Sequence, residues 1–371
     1  MTKTDSNTIA IAAGGTGGHL FPAMAVAEVL ASQGLSVVLL TDERGQQMSP
    51  NFPADQIFVL PSGGIAGLSV LRKFISFWSL AKGTIKARSL IKSISPLAVI
   101  GFGGYPSVPP LLAARSLKLP CLLHEQNAHV GKANRLLAKF SNKVALPFSS
   151  NLMKGLSQEA KAKSFTSGNP VRQAFLSIPA ADRNDKDRLT LLIMGGSLGA
   201  RVMSEEVPKA IKLLTTEQRS QIKVYQQARS EDLEQVAAAY DDLDIDADVR
   251  SFFNDVDELI SRSDLLISRA GASTVAEIAA AGRASILVPY PYAADDHQTQ
   301  NAAALAATDA AILVPQEKFT SELIAEKLVT YLKNKKTLVD MGAKAKKLAM
   351  PEAAQLIADM AIWLAKKEPT S

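Results

Sequence analysis

Hydrophobic and polar positions in the first half of the chain alternate between short apolar runs and longer amphipathic stretches. The runs 8–13, 35–41 and 97–104 are almost entirely apolar, and residues 22–33 have the spacing of a helix. Apolar runs of this length predict strands buried on both faces, and the stretches between them predict the helices that cover the sheet. The pattern therefore predicts an α/β fold with a doubly covered parallel sheet.

The same design begins again near the middle of the chain. Residues 189–211 repeat the order of strand, glycine corner and helix found at 8–30, and strands and helices alternate again after them. A chain of 371 residues is long enough for two such domains. We predict two Rossmann-like domains followed by a last helix, at residues 1–169, 170–349 and about 351–366.

Charge is distributed unevenly along the chain, although the net charge is only +5. Residues 1–165 hold 17 Lys and Arg against 7 Asp and Glu, and no acidic residue lies between Asp55 and Glu125. A cationic first half indicates an anionic ligand or surface. Nucleic acid is the less favoured partner, because aromatic residues are not interleaved with the basic ones as stacking platforms would be.

Cys121 is the one cysteine, which excludes a disulfide framework and fits a reducing compartment. No apolar run approaches the roughly 20 residues that span a bilayer, and the first apolar run is too short for a signal peptide. We therefore expect a soluble, cytoplasmic protein.

Glycine-containing corners follow three of the predicted strands, at 14–18, 101–104 and 195–199. A helix that begins at such a corner offers unpaired amides and the positive end of its dipole to an anion such as phosphate. The alternative is tight packing between strand and helix without a ligand. The first corner has Leu20 where a dinucleotide fingerprint needs glycine and His19 where a Walker A loop does, so a nicotinamide oxidoreductase is disfavoured.

Polar residues end the predicted strand at 121–127, where His124 and Glu125 begin a H-E-x-x-H pattern that Ala128 breaks. We therefore predict no metal site there. The segment is either a polar turn or a cluster of hydrogen-bonding groups at the edge where open α/β sheets bind ligands. The acidic run 241–248 lacks the glycine of a calcium loop and is interpreted as a solvated turn.

Two corners in the second half have competing explanations. Thr274 and Glu277 have the spacing of a capping box, but a carboxylate one turn into a helix could also accept hydrogen bonds from a ribose. Gln298 precedes another Ala-rich helix and could serve in N-cap chemistry or bind ligand hydroxyls.

The long predicted helix 69–93 combines aromatic and basic residues. Arg72, Lys73 and Lys82 lie beside Phe74 and Trp78, without an acidic neighbour. Burial against the sheet would explain some of the apolar residues. Such a helix could also lie among anionic lipid headgroups, and we predict salt-sensitive, reversible membrane contact.

Seven segments, in this order, together resemble one known family: GGTGGHLFPAMAVA, GFGGYPSVPPLLAA, LLHEQNAHVGKANRLLA, SGNPVR, GGSLGA, RAGASTVAEIAAAGRASILVPYP and DHQTQNA. They are similar to the motifs of the MurG glycosyltransferases of glycosyltransferase family 28, over about residues 8–305. The resemblance implies a GT-B fold, in which two Rossmann-like domains face each other across a cleft. The final helix, about 350–371, would return to the first domain.

The resemblance also implies an activity. It is the inverting transfer of N-acetylglucosamine from UDP-N-acetylglucosamine to the muramoyl 4-hydroxyl of lipid I, which yields lipid II and UDP for peptidoglycan synthesis. No cofactor and no metal are implied at the chemical step. The first domain would bind the acceptor and the anionic cytoplasmic face of the membrane, where the enzyme would be peripherally attached, and the second domain would bind the donor.

Site residues follow from the resemblance by position. The donor would be bound by Thr16, Gly17, Gly18, Asn127, Arg172, Ser197, Phe253, Ala272, Ser273, Thr274, Val275, Ala276, Glu277 and Gln298. The acceptor pyrophosphate would be bound by Gly14, Gly15, Gly103, Gly104 and Tyr105.

Each donor group has an implied role. Ser197 would contact phosphate, Glu277 the ribose, the Phe253 backbone the uracil, and Asn127 and Gln298 the sugar hydroxyls. In chemical terms, a helix N-terminus with Ser197 and Arg172 could stabilise the leaving diphosphate without metal.

The acceptor hydroxyl needs a general base. His19 is the first candidate, since a histidine side chain titrates near neutral pH, and His124 is the second. His19 could instead only orient substrate or cap the helix. A UDP-sugar 2-epimerase of the same fold and a non-catalytic, membrane-associated nucleotide-binding protein remain as alternative functions.

Overall fold

The apolar runs form strands that assemble into two separate parallel sheets. This computed structural model describes residues 7–48, 50–62, 70–180, 188–196 and 200–367, with the backbone alone for 70–77. By its internal contacts the chain divides into two units: Met1–Arg172 with Met350–Ser371, and Gln173–Ala349.

The first unit contains a seven-stranded sheet in which every neighbouring pair is parallel. Its strands are β1 (Thr8–Ala12), β2 (Ser36–Thr41), β3 (Gln56–Val59), β4 (Ala98–Gly101), β5 (Cys121–His124), β6 (Lys143–Leu146) and β7 (Ser164–Thr166). Their order in the sheet is β3-β2-β1-β4-β5-β6-β7. The chain therefore runs outward from β1 to β3 and then crosses back to β4, which is the doubly wound order.

The second unit repeats this order in a six-stranded parallel sheet, β10-β9-β8-β11-β12-β13. Its strands are β8 (Leu189–Met194), β9 (Ile222–Gln227), β10 (Asp246–Arg250), β11 (Leu265–Ser268), β12 (Ala284–Leu287) and β13 (Ile312–Leu313). The predicted α/β class with two Rossmann-like sheets is confirmed.

Helices connect the strands and cover the sheets. They are α1 (Gly17–Ser32), α2 (Glu43–Gln47), α3 (Val70–Ile94), α4 (Val108–Ser116), α5 (Lys132–Phe140), α6 (Gln158–Ala162), α7 (Gln173–Leu176), α8 (Arg201–Lys212), α9 (Thr216–Ser220), α10 (Leu233–Asp241), α11 (Val256–Arg262), α12 (Ala272–Ala281), α13 (His297–Ala306), α14 (Ser321–Lys333), α15 (Lys336–Lys347) and α16 (Ala353–Lys366). Short 3-10 helices occur at Tyr105–Ser107, Ala294–Asp296 and Gln316–Lys318.

Helix α1 begins five residues earlier than the predicted start at 22. Thr16 is its N-cap in an extended conformation, and the Thr16 carbonyl accepts hydrogen bonds from the amides of His19 and Leu20. Pro22 lies inside the helix rather than at its start. Proline usually marks a first turn, which is why the sequence pattern placed the boundary too late.

The last helix, α16, packs on the first unit, as the resemblance implied. Ile357, Ala358 and Ala361 have no exposed surface, and they belong to the same hydrophobic cluster as Leu20 and Val26 of α1. The first unit is therefore completed by a segment that follows the entire second unit in the chain.

The interpretation of 241–248 as a solvated turn is wrong in part, because β10 begins at Asp246. This strand lies at the edge of the second sheet, where its charged side chains need not be buried. Asp246 pairs with Lys223 in the strand register, and its carboxylate lies 3.4 Å from the Lys223 ammonium and 3.1 Å from Arg188.

We expect Ile357→Ala to lower the free energy of unfolding of the first unit by about 2–5 kcal/mol, because a buried branched side chain is lost from this cluster. Leu356→Ala, at an exposed neighbouring position, serves as the control and should change it by less than about 0.5 kcal/mol. Chemical denaturation of both variants measures the difference. Equal effects would contradict the packing described for α16.

Candidate functional site

Both sheets reverse their strand order at one pair of neighbouring strands, β1 with β4 in the first unit and β8 with β11 in the second. In open α/β sheets the loops after such strands diverge and leave room for ligands. The corners predicted at 14–18 and 101–104 lie at the ends of β1 and β4. Of the corner predicted at 195–199, the described residues Gly195 and Gly196 follow β8, and Gly271 follows β11. The described residues of these corners thus lie at the reversal points of their own sheets.

Contacts within the protein account for three of the four glycines in the first corner. A Cβ on Gly14 would lie 2.7 Å from Thr41 and Asp42 oxygens, and one on Gly17 would lie 2.7 Å from the Phe21 ring. Gly15 has φ +78°, a conformation that favours glycine, and its amide donates to the Asp42 carboxylate at 3.0 Å. Gly18 has only Thr16 Oγ1 nearby, at 3.7 Å from such a Cβ.

Asp42 has a structural role at this corner. Its Oδ1 atom also accepts from the Gly45 amide at 2.8 Å and so caps α2. The Asp42 carboxylate is therefore engaged by backbone amides.

Arg172 reaches the same region from the end of the first unit. Its guanidinium carbon lies 5.1 Å from the centre of the Phe21 ring, which rests on Gly17 on the α1 backbone. This is cation–π contact, and it brings a positive charge close to the N-terminal turns of α1. The residue predicted for the donor diphosphate thus lies in the first unit, beside Gly17.

The second corner contains two glycines with positive φ, Gly103 and Gly104. A Cβ on Gly103 would lie 2.7 Å from the Asn134 amide, and one on Gly104 would lie 3.3 Å from Cδ2 and Nε2 of His19. Ser107 Oγ lies 2.8 Å from the carbonyl oxygens of both Ala12 and Gly103 and so connects the two corners. Tyr105, which begins the 3-10 helix after Gly104, is half-buried.

His19 begins a chain of hydrogen bonds that runs into the protein. Its Nδ1 atom lies 3.1 Å from Gln126 Oε1, and Gln126 Nε2 lies 2.6 Å from the Phe102 carbonyl oxygen and 3.2 Å from His124 Nδ1. His124 Nε2 in turn lies 3.1 Å from the Gly168 carbonyl oxygen. The polar cluster after β5 is therefore ordered and internally bonded.

His124, the second candidate base, is completely buried. Burial lowers the pKa of His124 to about 4, because desolvation outweighs the hydrogen bond to Gly168, and the nearby His19 charge lowers it further. His124 is therefore neutral at physiological pH. His124 bonds Gln126, which in turn bonds His19, so His124 lies deeper in the protein than the candidate base.

Glu125 organises the loop that follows. It is buried, and its carboxylate accepts from the amides of Gln126 and Asn127 at 2.9 Å, from the Gly131 amide at 3.0 Å and from Asn134 Nδ2 at 2.8 Å. These donors compensate the cost of burying a carboxylate. Asn127, the predicted sugar ligand, is positioned by this carboxylate and is half-buried.

In the second unit, the capping box predicted from Thr274 and Glu277 is wrong. The N-cap of α12 is Gly271, no side chain caps the helix, and its first turn contains no acidic residue. Thr274 is the third helical residue and cannot be the cap. Of the predicted donor residues, Val275 is buried, and Ala272, Ser273, Thr274, Ala276 and Glu277 are half-buried on this helix.

The Gln298 side chain bridges the loops after β11 and β12 by hydrogen bonds. Its Oε1 atom accepts from the amides of Ala270 at 3.2 Å and Tyr290 at 2.9 Å. The carbonyl end of Gln298 is thus used by the protein.

The other two donor positions differ in what the structure describes. Phe253 is buried, with the Arg250 guanidinium 5.4 Å from its ring centre. Ser197 lies outside the described residues.

Helix α3 exposes part of its aromatic and basic surface. Trp78 is 58% exposed and Ile85 72% exposed, while Gly83, Ala87 and Ile91 form the buried face. Burial therefore does not explain Trp78, and Lys82 lies on the exposed surface beside it. The side chains of Arg72, Lys73 and Phe74 lie outside the described part.

In the part of the chain that the structure describes, none of the helices is long and apolar enough to cross a membrane. None of the His, Cys, Asp and Glu residues in that part form a group of three that could hold a metal ion.

Several residues in these contacts were not among the predicted site residues, among them Phe21, Gln126 and Asn134. Gln126 is part of the polar cluster that the sequence did indicate, and its position after a buried strand was the available signal. Phe21 follows Gly17 by one helical turn, whereas Asn134 contacts Gly103 from a distant part of the sequence, which no local pattern reveals.

Comparisons with known proteins agree with these features. The glycosyltransferase family 28 N-terminal domain matches residues 9–146, and the C-terminal domain of that family matches residues 190–357. A protein of Rhizobium rhizogenes is 44% identical over 369 residues, covering 97% of this chain and 96% of its own length. Its name is UDP-N-acetylglucosamine–N-acetylmuramyl-(pentapeptide) pyrophosphoryl-undecaprenol N-acetylglucosamine transferase.

Two solved structures are also similar. MurG of Acinetobacter baumannii has 33% identity and a TM-score of 0.73, with 96% of this chain and 99% of that chain covered. A UDP-N-acetylglucosamine 2-epimerase from Listeria monocytogenes, so described provisionally, has a TM-score of 0.66 with 98% of each chain covered, but 12% identity, which shows the fold alone. Because these matches extend over most of its length, the chain belongs to glycosyltransferase family 28.

Proposed function

We propose that this protein transfers N-acetylglucosamine from UDP-N-acetylglucosamine to the muramoyl 4-hydroxyl of lipid I, forming lipid II and UDP. The observation that carries the proposal is the placement of the described glycines of these corners at the two sheet reversals, in a chain whose relatives bear the name of this transferase. Two corners in each of two units suit two substrates that each carry a diphosphate.

The donor is assigned to the second unit. The N-terminus of α12 has no side-chain cap and no acid in its first turn, so the positive end of its dipole would favour an anion there. Glu277 lies in the second turn of the helix, at the distance along it where a ribose would follow a phosphate. Gln298 would use its amide nitrogen on a sugar hydroxyl, and Ser197 and the Phe253 backbone would contact phosphate and uracil.

The acceptor is assigned to the first unit. The 14–18 and 103–105 loops would hold its pyrophosphate, and Asn127 and Arg172 would reach the donor. In the reaction the acceptor oxygen forms the new bond to the anomeric carbon, the bond from that carbon to the diphosphate breaks, and the hydroxyl proton passes to His19. The diphosphate leaves with the electron pair, stabilised by helix amides and Arg172.

Localisation follows from the acceptor and from α3. We place the enzyme at the cytoplasmic face of the membrane, held peripherally by Trp78, Lys82 and the neighbouring Arg72, Lys73 and Phe74. The excess of basic residues in this half of the chain favours anionic lipid as the surface and gives no support to nucleic acid.

The activity itself predicts UDP release that depends on acceptor. With UDP-N-acetylglucosamine and a lipid I analogue, UDP and the disaccharide product should form in equal amounts, and omission of the analogue should stop both. Coupled UDP detection with chromatography of the lipid product measures this. Release of UDP without acceptor would instead support the epimerase or a hydrolase and contradict the transfer.

His19→Ala should lower kcat by roughly 10²–10⁴-fold with little change in KM for the donor, because a general base acts in the transition state. His129→Ala is the matched control, since His129 bonds Arg135 and takes no part in the proposed transfer. Steady-state kinetics with the lipid I analogue separates the two constants. A near-normal kcat in His19→Ala would remove it from this role.

Lys82→Glu should weaken binding to anionic vesicles by about 10- to 30-fold, since each cation near such a surface contributes about 1 kcal/mol. Lys336→Glu makes the same charge change at an exposed position of the second unit and should leave binding unaltered. Flotation with neutral and anionic vesicles at two salt concentrations measures both. Wild-type protein that shows no preference for anionic lipid would rule out this contact surface.

A further inference from the structure

The chain of hydrogen bonds from His19 to Gly168 contains two groups whose role is fixed, and these determine the position of every proton along it. They are the backbone carbonyl oxygens of Phe102 and Gly168, which can only accept hydrogen bonds. Each side chain between them must therefore present a definite donor or acceptor.

The Phe102 carbonyl fixes the Gln126 amide. At 2.6 Å from that oxygen, the Gln126 side chain must present its NH₂ group, because two carbonyl oxygens would repel at this distance. The same NH₂ group has a second proton, which reaches His124 Nδ1 at 3.2 Å. Gln126 Oε1 consequently faces His19 Nδ1 as an acceptor, 3.1 Å away.

The Gly168 carbonyl fixes His124 in the same way. His124 Nε2 must carry a proton to donate to this oxygen at 3.1 Å, so in the neutral ring Nδ1 accepts from Gln126. Burial keeps the ring neutral, since the pKa of His124 is lowered to about 4. The Phe102 carbonyl and the His124 ring therefore require the same orientation of the Gln126 amide, with its NH₂ group toward both of them.

We infer that Gln126 is a positioning residue for His19: by accepting a hydrogen bond from Nδ1–H, it leaves the lone pair of neutral His19 on Nε2, the atom that faces Gly104. The nitrogen that carries the proton in a histidine ring is set by the hydrogen bond that the other nitrogen makes. In the Gly104 direction, Nε2 is 3.3 Å from where a Cβ would lie, so glycine keeps this side of the ring open.

This inference rests on the proposed function for its chemical meaning. The acceptor hydroxyl must pass its proton to a lone pair at the site, and the ring tautomer decides whether that lone pair lies on the Gly104 side or toward Gln126. Gln126 does not touch the reacting atoms. It acts through His19, and the glutamine needs no charge of its own to do so.

His124 is the titratable group coupled to His19 through Gln126. The charged groups that contact the neighbouring residues of the same corner have other partners: the Asp42 carboxylate accepts from Gly15 and Gly45, and Arg172 lies over Phe21. The tautomer is therefore assigned by the neutral amide.

Ring nitrogen NMR of protein labelled with ¹⁵N-histidine tests the inference directly, because a protonated and an unprotonated ring nitrogen have distinct shifts and the chain has only four histidines. Neutral His19 should show Nδ1–H, and His124 should show Nε2–H. His19→Ala and His124→Gln identify the signals. A wild-type His19 ring with the proton on Nε2 would overturn the proposal without any activity measurement.

Two substitutions at Gln126 separate positioning from a merely structural role. Gln126→Met removes the acceptor, and we expect loss of the Nδ1–H form and a kcat lowered by about 10- to 100-fold with donor KM within about twofold. Gln126→Glu keeps an acceptor for Nδ1–H, so the Nδ1–H form should be retained, but its second carboxylate oxygen meets the Phe102 carbonyl, so thermal stability should fall and kcat should return only in part. Its carboxylate also favours the charged ring, and the acidic limb of the kcat/KM profile should move to higher pH.

Gln226→Met is the matched control. Gln226 is a buried glutamine of the second unit that bonds the Tyr240 hydroxyl and the Met203 carbonyl, so the same exchange should lower thermal stability without altering the His19 signals or kcat. Unchanged kcat in Gln126→Met, or an unmoved pH profile in Gln126→Glu, would contradict positioning. A wild-type enzyme that transfers no sugar would defeat the proposed function, while the ring signals would still test the hydrogen-bond chain.

Discussion

The reversal of strand order between β1 and β4 is the constraint on which the first unit's site depends. Because α1 and α4 leave the sheet from neighbouring strands toward different sides, the loops after those strands diverge and no crossover connection covers them. The two loops are nevertheless held together, since Phe102 donates to the Ala12 carbonyl at 2.8 Å and Ser107 lies between them. The opening is thus bordered by rigid backbone.

Hydrogen bonds between buried polar groups hold the loops of this region in place. The Glu125 carboxylate accepts from four residues between Gln126 and Asn134, while His124, Gln126 and the carbonyls of Phe102 and Gly168 bond each other. Unpartnered groups at this depth would cost about 1–3 kcal/mol each, so the cluster holds together only when all its members are in place. Folding of the first unit and orientation of His19 therefore depend on the same hydrogen bonds.

Much of the fold could be predicted from the sequence, because continuous apolar runs and glycine corners are local signals. The two sheets and the last helix followed from them or from the resemblance. The reason why glycine is needed at these positions could not be predicted. A Cβ at Gly14 would contact Thr41 and Asp42, and a Cβ at Gly17 would contact Phe21. The capping box failed because the true N-cap, Gly271, has no side chain to give a signal. Strand β7 was missed because it has only three residues at a sheet edge.

The two units use one physical device in different surroundings. Thr16 and Gly271 are both extended N-caps without a side-chain hydrogen bond, and neither α1 nor α12 has an acid in its first turn. Both helices therefore direct the positive end of their dipole at the carboxyl edge of their sheet. Beside α1 the surrounding groups are the histidine chain and Arg172, which suit a step that transfers a proton. Beside α12 they are the side-chain amides of Gln298 and Asn301, which fix neighbouring loops, and in the proposed function Gln298 meets the hydroxyls of the donor sugar. The division of labour proposed for the units follows from these neighbours and not from the shared helix ends.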